Sequence, residues 1–238
     1  MTTPLPVVLV HGAWHGAWCF AGLQYALDEL GVPSYAIDLP GHGTSTQPFT
    51  DLAGDAAHVA AVLRQLGTPA VLVGHSLGGA VITEAATLHP EVAHLVYLTA
   101  FALDAGESVM SALASFPQAR VPLGLAIVPH DDGSSHIDPA KAAEAFYGHC
   151  SPAATSAAIA RLCDQPMVTM IDAVSGSPRE RIPSTYVRCT DDQAIALVHQ
   201  DLMAARCGAT LTIETDHSPF VSAIDETAAI LHRIATGS

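Results

Sequence analysis

The fold is decided by one stretch of ten residues, Val71-Leu72-Val73-Gly74-His75-Ser76-Leu77-Gly78-Gly79-Ala80. An apolar run leads into a turn and a helix-like segment follows, which is the context that a G-x-S-x-G nucleophile turn requires. A serine at the apex of so tight a turn has strained backbone, so Gly74 and Gly78 must be nearly atomless neighbours. Gly79 lets the helix pack close to the sheet. The pattern predicts Ser76 as a nucleophile at a helix N-terminus, where free N–H groups favour negative charge.

Strand and helix patterns alternate along most of the chain. Apolar runs predict six strands, at residues 5–10, 34–37, 70–73, 94–101, 184–189 and 209–214. Helical spacing predicts helices at residues 18–30, 52–66, 79–89, 194–207 and 219–235. This alternation predicts an α/β fold with a mostly parallel sheet of about six strands flanked by helices.

The alternation stops after Phe101. Residues 104–178 show no clear strand and carry two Ala-rich helical patterns, at 139–148 and 152–163. We therefore expect residues 1–103 and 179–238 to form the core, and residues 104–178 to be a helical cap inserted over the carboxyl edge of the sheet. The whole is expected to be one structural domain.

A serine hydroxyl needs a base within hydrogen-bond reach, and the base needs an orienting acid. His217 follows the last predicted strand directly, which places it at the same sheet edge as Ser76 and makes it the predicted base. His11, His42 and His75 also lie near that edge but in Gly-rich loops, where we expect them to bond to backbone.

The acid is expected at another strand end, between the serine and the histidine. The strand that ends at Cys189 is followed by two adjacent carboxyl side chains, and we favour Asp192 over Asp191. Asp104 is a third option, since it follows the strand after Ser76.

Two main-chain N–H groups are predicted to bind the oxyanion of the reaction. The N–H of Leu77 lies at the helix N-terminus after the serine, and the loop after the first strand supplies a second donor, for which we choose Ala13.

The motifs together resemble those of a known family, the α/β-hydrolases of the plant methyl esterase and hydroxynitrile lyase type with their bacterial esterase relatives. The motifs are Val10–Trp18, Asp38–Gly43, Gly74–Gly79, Cys189–Asp192 and Asp216–His217. The resemblance implies that Asp192 is the acid, and that Ala13 and Leu77 are the oxyanion donors. It also implies a six-stranded, essentially parallel sheet, because the chain begins at the strand that would be third in larger relatives.

Two departures from the family pattern bear on the reaction. Hydroxynitrile lyases of this family carry a threonine where this chain has Gly12, and a lysine where it has Ser218. That lysine stabilises departing cyanide, so the resemblance implies ester hydrolysis here. Cleavage of cyanohydrins, thioesters or carbon–carbon bonds on the same triad remains an alternative, as does a small-molecule receptor with little turnover, or a structural protein that only retains the fold.

Composition limits the partners. The net charge of −14 disfavours nucleic acid and anionic membranes, which need a basic face. No apolar run reaches the length of a membrane span, and Met1–Pro6 lacks the pattern of a signal peptide, so we expect a cytoplasmic protein. The five scattered cysteines are expected to be reduced. The apolar content expected at the surface suggests self-association, for example as a homodimer.

The sequence therefore predicts a serine hydrolase that cleaves a small to medium uncharged carboxylic ester through an acyl-enzyme, without cofactor. No Cys/His spacing typical of a metal site is present. The expected substrate pocket is lined by Gly12, Trp14, Phe116, Leu123, Leu125, Phe146, Tyr147 and Ser218, although core packing explains the larger of these side chains equally well.

Overall fold

The computed structural model describes residues 3–89 and 91–238; Met1, Thr2 and Pro90 lie outside the described residues. Its strands in this part of the chain are β1 (Val7–Val10), β2 (Ser34–Ile37), β3 (Ala70–Ser76), β4 (Val92–Ala100), β5 (Ile127–Pro129), β6 (Ser134–Ile137), β7 (Gln165–Pro166), β8 (Ser184–Cys189) and β9 (Ala209–Ile213).

The helices are α1 (Ala21–Glu29), α2 (Leu52–Leu66), α3 (Gly78–Leu88), α4 (Val109–Ser115), α5 (Leu123–Ala126), α6 (Pro139–Phe146), α7 (Pro152–Ile159), α8 (Val168–Ile171), α9 (Leu197–Ala204), α10 (Pro219–Ser222) and α11 (Ile224–Thr236). Short 3-10 turns at Ala17–Phe20 and Pro178–Glu180 precede α1 and β8.

A six-stranded sheet in the order β2-β1-β3-β4-β8-β9 forms the centre of the molecule, and all its neighbouring strands are parallel. Both faces of this sheet are covered. On β1, Val8 and Val10 pack into the core on the side of α2 and α3, whereas Val7 and Leu9 pack into the core on the side of α1 and α11. Burial on both faces explains the continuous apolar runs, and the predicted parallel α/β fold is confirmed.

Helix ends agree with local sequence signals. The Asp51 carboxylate accepts a hydrogen bond from Gly54 N–H at 2.8 Å and begins α2, and Gly67, at φ 65°, ends it. The predicted final helix is divided in two, because Ala223 leaves helical geometry at φ −139° between α10 and α11.

Residues 104–178, which we call the inserted segment, follow β4 and precede β8. The predicted helices are present as α6 and α7, but the expectation that the segment has no strand is wrong. Strands β5, β6 and β7 form a small antiparallel sheet. These strands are two to four residues long, too short to produce a recognisable alternation, and Gly133 lies in the turn between β5 and β6.

Candidate active site

Ser76 ends β3 in a strained turn. Its φ is 53°, in the left-handed region that residues with a side chain rarely adopt. Neighbouring backbone leaves no space for side chains: a Cβ on Gly74 would lie 2.4 Å from the Gly78 carbonyl oxygen, and one on Gly78 would lie 2.6 Å from that of His11. A Cβ on Gly79 would lie 2.7 Å from the carbonyl oxygen of Phe101, just after β4. The glycines of the motif are thus required by the close approach of three chain segments.

Two main-chain donors lie at this turn. Leu77 is the N-cap residue of α3, and Ala13 lies in the loop after β1. Within the described residues, neither the Leu77 N–H nor the Ala13 N–H has a hydrogen-bond acceptor. A Cβ on Gly12 would lie 2.7 Å from the Ser76 Cβ, which shows how closely the first loop approaches the serine. Both N–H groups thus lack an internal acceptor, as the expected oxyanion donors require.

His217 and Asp192 form a buried pair. The His217 Nδ1–H donates to Asp192 Oδ2 at 2.7 Å, and the two side chains are 1% and 0% exposed. Asp192 Oδ1 also accepts hydrogen bonds from the N–H groups of Ala194 at 2.6 Å and Ile195 at 2.8 Å. Such bonds compensate a carboxylate for its loss of water. In a neutral imidazole with its proton on Nδ1, Nε2 is the nitrogen that accepts a proton.

Thr99 is a site residue that the sequence did not reveal. Its hydroxyl donates to Asp192 Oδ2 at 2.5 Å, and its φ of 37° places it in strained backbone near the end of β4. Strand β4 lies between β3 and β8, so a polar residue at its carboxyl end lies between the serine and the acid. That position in the strand order was the signal that could have identified it.

His75 has a structural role. Its ring is fully buried, and its Nε2–H donates to the main-chain carbonyl of His217 at 2.8 Å. Burial lowers the pKa of His75 well below its usual value, so the imidazole is neutral and its bond is that of a single donor. The residue before the serine thus fixes the backbone of the predicted base, and the ring centroids of His75 and His217 are 4.5 Å apart.

Two further buried histidines shape the loop that carries Ala13. His11 Nδ1–H donates to the Gly12 carbonyl at 2.8 Å, and this carbonyl belongs to the peptide group whose N–H is that of Ala13. His15 Nδ1–H donates to the Ala13 carbonyl at 2.8 Å. Burial lowers the pKa of His11 to about 3 and that of His15 to about 4. As expected, His11 acts on backbone, and so does His42, whose Nδ1 lies 3.0 Å from the Pro40 oxygen.

The inserted segment closes over this loop. Trp14, at φ 62°, donates its Nε1–H to the Ser135 hydroxyl at 3.1 Å and its main-chain N–H to Gln165 Oε1 at 3.3 Å. The Tyr147 hydroxyl lies 2.8 Å from His15 Nε2, and Phe146 stacks on the His217 ring at 5.6 Å between centroids. Ser76 itself is 9% exposed, so the serine is nearly buried.

The predicted pocket residues divide into two groups. Gly12, Trp14, Phe146, Tyr147 and Ser218 lie next to the serine, its loop or His217. Phe116 packs against His199 and Arg206, and Leu123 lines a groove with Pro117 and His199. The Leu125 side chain is 75% exposed on the outer surface, because α5 is a single turn with one buried residue, Ala126. Leu125 is therefore not part of an enclosed pocket.

The alternative acids pair with other groups. Asp104 lies 2.5 Å from Arg179 and 3.5 Å from Arg206, and Asp191 lies 3.2 Å from His149. Both carboxylates are about half exposed. The structure therefore brings Asp192, rather than Asp104 or Asp191, to His217.

Asp216, next to His217 in sequence, fixes the last loop. Its Oδ1 accepts from Ser218 N–H at 3.0 Å and from the Ser222 hydroxyl at 2.6 Å, and its Oδ2 accepts from His149 N–H at 2.8 Å. It thereby joins the loop of the predicted base to the inserted segment.

Among the described helices, none is both long and apolar enough to cross a bilayer.

The strained Ser76 turn ends β3, and a hydrogen-bonded Asp–His pair follows the last two strands of the sheet. The model of the alpha/beta hydrolase family matches residues 7–230. The chain belongs to this family. The alpha/beta hydrolase nvfD of Aspergillus novofumigatus is 28% identical over 96% of each chain. Methylesterase 2 of Arabidopsis thaliana is 29% identical over 89% of each chain.

The fold of this alpha/beta hydrolase has close counterparts among solved structures. A pyrethroid hydrolase from Sphingobium faniae JZ-2 superimposes with a TM-score of 0.83 at 26% identity, over 98% of this chain and 97% of the other. The recognised resemblance to plant methylesterases and bacterial esterases is therefore confirmed.

Proposed function

We propose that this protein is a serine esterase that hydrolyses a small to medium uncharged carboxylic ester through an acyl-enzyme. Hydrolysis of esters is the activity that its relatives support, since they include a methylesterase and a pyrethroid hydrolase. The observation that carries the serine mechanism is the buried His217–Asp192 hydrogen bond of 2.7 Å beside the strained Ser76 turn.

In the proposed reaction, the Ser76 oxygen attacks the ester carbonyl while His217 Nε2 takes its proton. Asp192 holds the imidazole in the tautomer with the proton on Nδ1 and stabilises the imidazolium. Within the described residues the Ser76 hydroxyl has no hydrogen-bond partner, and we expect its bond to His217 to form when substrate binds.

The oxyanion of the tetrahedral intermediate is bound by the N–H groups of Ala13 and Leu77. His217 then protonates the leaving alcohol, and water repeats the two steps on the acyl-enzyme. Because His15 and His75 are held neutral by burial, and Trp14 and Phe146 add aromatic surface, the surroundings suit an uncharged ester.

Lyase chemistry has less support at this site. The threonine that hydroxynitrile lyases carry at the position of Gly12 would put its Cβ 2.7 Å from that of Ser76. The residue at the position of their lysine is Ser218, which is fully buried and uncharged. Ser218 therefore does not supply the positive charge that the lysine of those lyases gives to departing cyanide.

The proposal is tested with p-nitrophenyl esters from acetate to decanoate, using the wild-type protein and Ser76→Ala. Wild type is expected to turn over the shorter esters, and the variant should lose about 10⁴ to 10⁶ in kcat, as in triads of this kind. The acyl chain length that gives the highest kcat/KM indicates the size of the acyl pocket. Equal rates for the two proteins, or no turnover by either, would remove the esterase assignment.

A further inference from the structure

The small antiparallel sheet of the inserted segment brings together three side chains that are distant in sequence. His136 lies on β6, His130 directly follows β5, and Asp164 directly precedes β7. We call these three residues the outer cluster. The sequence spacing between the two histidines is not typical of a metal site. The aspartate lies 28 positions beyond His136.

The strand register explains why the three side chains meet. Ser135 pairs with Pro129 on one side and with Gln165 on the other. One residue further along, His136 is therefore opposite Asp164, and His130 lies diagonally across from His136 on the same face. The backbone of His130 continues the ladder, since its N–H donates to the Ser134 carbonyl at 2.8 Å.

The ligand atoms are close enough to share one ion. His130 Nε2 lies 3.0 Å from His136 Nδ1 and 3.5 Å from Asp164 Oδ1, and one ligand atom from each residue lies within 4.8 Å of the others. Two ligands of a tetrahedral Zn²⁺ with bonds of about 2.0–2.1 Å are separated by about 3.3 Å. The two distances from His130 Nε2 are close to this separation, and the third, within 4.8 Å, requires a rotation of the His136 or Asp164 side chain.

We propose that the outer cluster binds a single Zn²⁺ through His130, His136 and Asp164, with water in the remaining position. Two imidazoles and a carboxylate are a donor set that zinc accepts. Asp131 and Asp132 lie in the adjoining turn, and the chain as a whole carries a net charge of −14, so the electrostatic surroundings favour a cation. The site is distinct from Ser76 and does not depend on the proposed esterase function.

The opposite face of the same sheet gives the ion a structural consequence. Side chains alternate between faces along a strand, so Ser135 and Gln165 point away from the outer cluster and toward Trp14. Zinc would join β6 to the ends of β5 and β7 on the face of the small sheet opposite these two contacts. Binding should therefore stabilise the part of the inserted segment that holds the loop carrying Ala13.

The experiment is a zinc titration of tag-free protein in competition with a chromophoric chelator. His136→Gln and Asp164→Asn each remove one ligand and retain a polar side chain of similar size. His149→Gln is the matched control, because His149 is also an exposed histidine 3.2 Å from an aspartate, and its contact lacks the second imidazole of the outer cluster.

We expect wild type and His149→Gln to bind one equivalent of Zn²⁺ with equal affinity, and both cluster variants to bind at least ~10-fold more weakly. Zinc should also raise the Tm of wild type and of the control but not that of the cluster variants. The proposal is overturned if wild type binds no zinc, if the cluster variants bind as tightly as wild type, or if His149→Gln loses as much affinity as they do.

Discussion

The carboxyl edge of the large sheet and the inserted segment meet at His217 and at the loop after β1, yet they are built differently. At the sheet edge, Asp192 alone accepts four hydrogen bonds, from Thr99, Ala194, Ile195 and His217. These donors lie at or after the ends of three different strands. The inserted segment reaches the loop after β1 through contacts spread over several residues, such as the Tyr147 hydroxyl with His15 and the Cys163 N–H with the Trp14 carbonyl at 2.9 Å.

We infer from this difference that the sheet edge and the inserted segment have different roles. The sheet edge holds the groups that we propose transfer protons, and several strands support their backbone, so loss of one of these groups should affect the chemical step strongly. Contacts of the inserted segment join two layers of the molecule, so their loss should affect stability more than the chemical step. The following predictions test this division, from the largest expected effect to the smallest.

Replacement of the acid tests the sheet edge most severely. Asp192→Asn should lower kcat for a p-nitrophenyl ester by about 10⁴, because an amide no longer favours the Nδ1–H tautomer of His217. Asp191→Asn is the adjacent control and should leave kcat unchanged, since Asp191 contacts the exposed His149. Equal losses in the two variants would show that the acid has been misassigned.

Thr99 should act as a positioning residue for that acid. Thr99→Val keeps the β-branched shape and removes the hydroxyl that donates to Asp192 at 2.5 Å, so kcat should fall by about 10- to 100-fold with little change in KM. Thr227→Val is a matched control, because the Thr227 hydroxyl bonds only to carbonyls of the final helices. An unchanged kcat in Thr99→Val would contradict the role.

The contrasting experiment on the inserted segment is Tyr147→Phe. The change leaves His15 Nε2 buried without its partner, and the free energy of unfolding should fall by about 1–3 kcal/mol in urea titrations. We expect kcat to change by less than about 10-fold, since Tyr147 moves no proton in the proposed reaction. Tyr25→Phe, which alters an exposed tyrosine, is the control. If Tyr147→Phe lost as much kcat as Asp192→Asn, the proposed difference between the two regions would be contradicted.

The most gradual effect is a pH dependence of stability from His15. Burial lowers its pKa to about 4, so below its unfolded value of 6.5 the unfolded chain binds a proton that the folded chain does not. The contribution of His15 to the free energy of unfolding is fully present above pH 6.5. As the pH falls from 6.5 to about 4, this contribution decreases by about 1.4 kcal/mol per pH unit.

His15→Gln should therefore show a shallower loss of stability than wild type when urea unfolding is compared at about pH 7 and about pH 5. The comparison must be between variants, because Asp55, whose pKa burial raises to about 7, changes stability in the opposite direction. His232→Gln serves as the control, and identical pH slopes in wild type and His15→Gln would contradict the assigned pKa.

The sequence predicted those parts of the molecule that backbone pattern determines. Continuous apolar runs identified the strands, and strand ends placed Ser76, His217 and the adjacent Asp191 and Asp192 at one edge; the structure then joins Asp192 to His217. Thr99 was missed because it belongs to a buried strand, and nothing local distinguishes a hydroxyl that bonds to an acid from one that bonds to backbone.

The inserted segment was less predictable, for physical reasons. Its strands are held by tertiary contacts rather than by local pattern, so β5, β6 and β7 were not recognised. The outer cluster depends on cross-strand register, which sequence spacing does not contain. Leu125 was placed in the pocket on hydrophobicity alone, but its single-turn helix turns that side chain outward.

The central claim is that Ser76 is a nucleophile activated by His217. It is tested most directly by treating the protein with a serine-directed phosphonate and identifying the modified peptide by mass spectrometry. We expect stoichiometric modification at Ser76 in wild type, none in Ser76→Ala, and much slower modification in His217→Ala. An unmodified Ser76 in wild type, or a rate that does not depend on His217, would contradict the account.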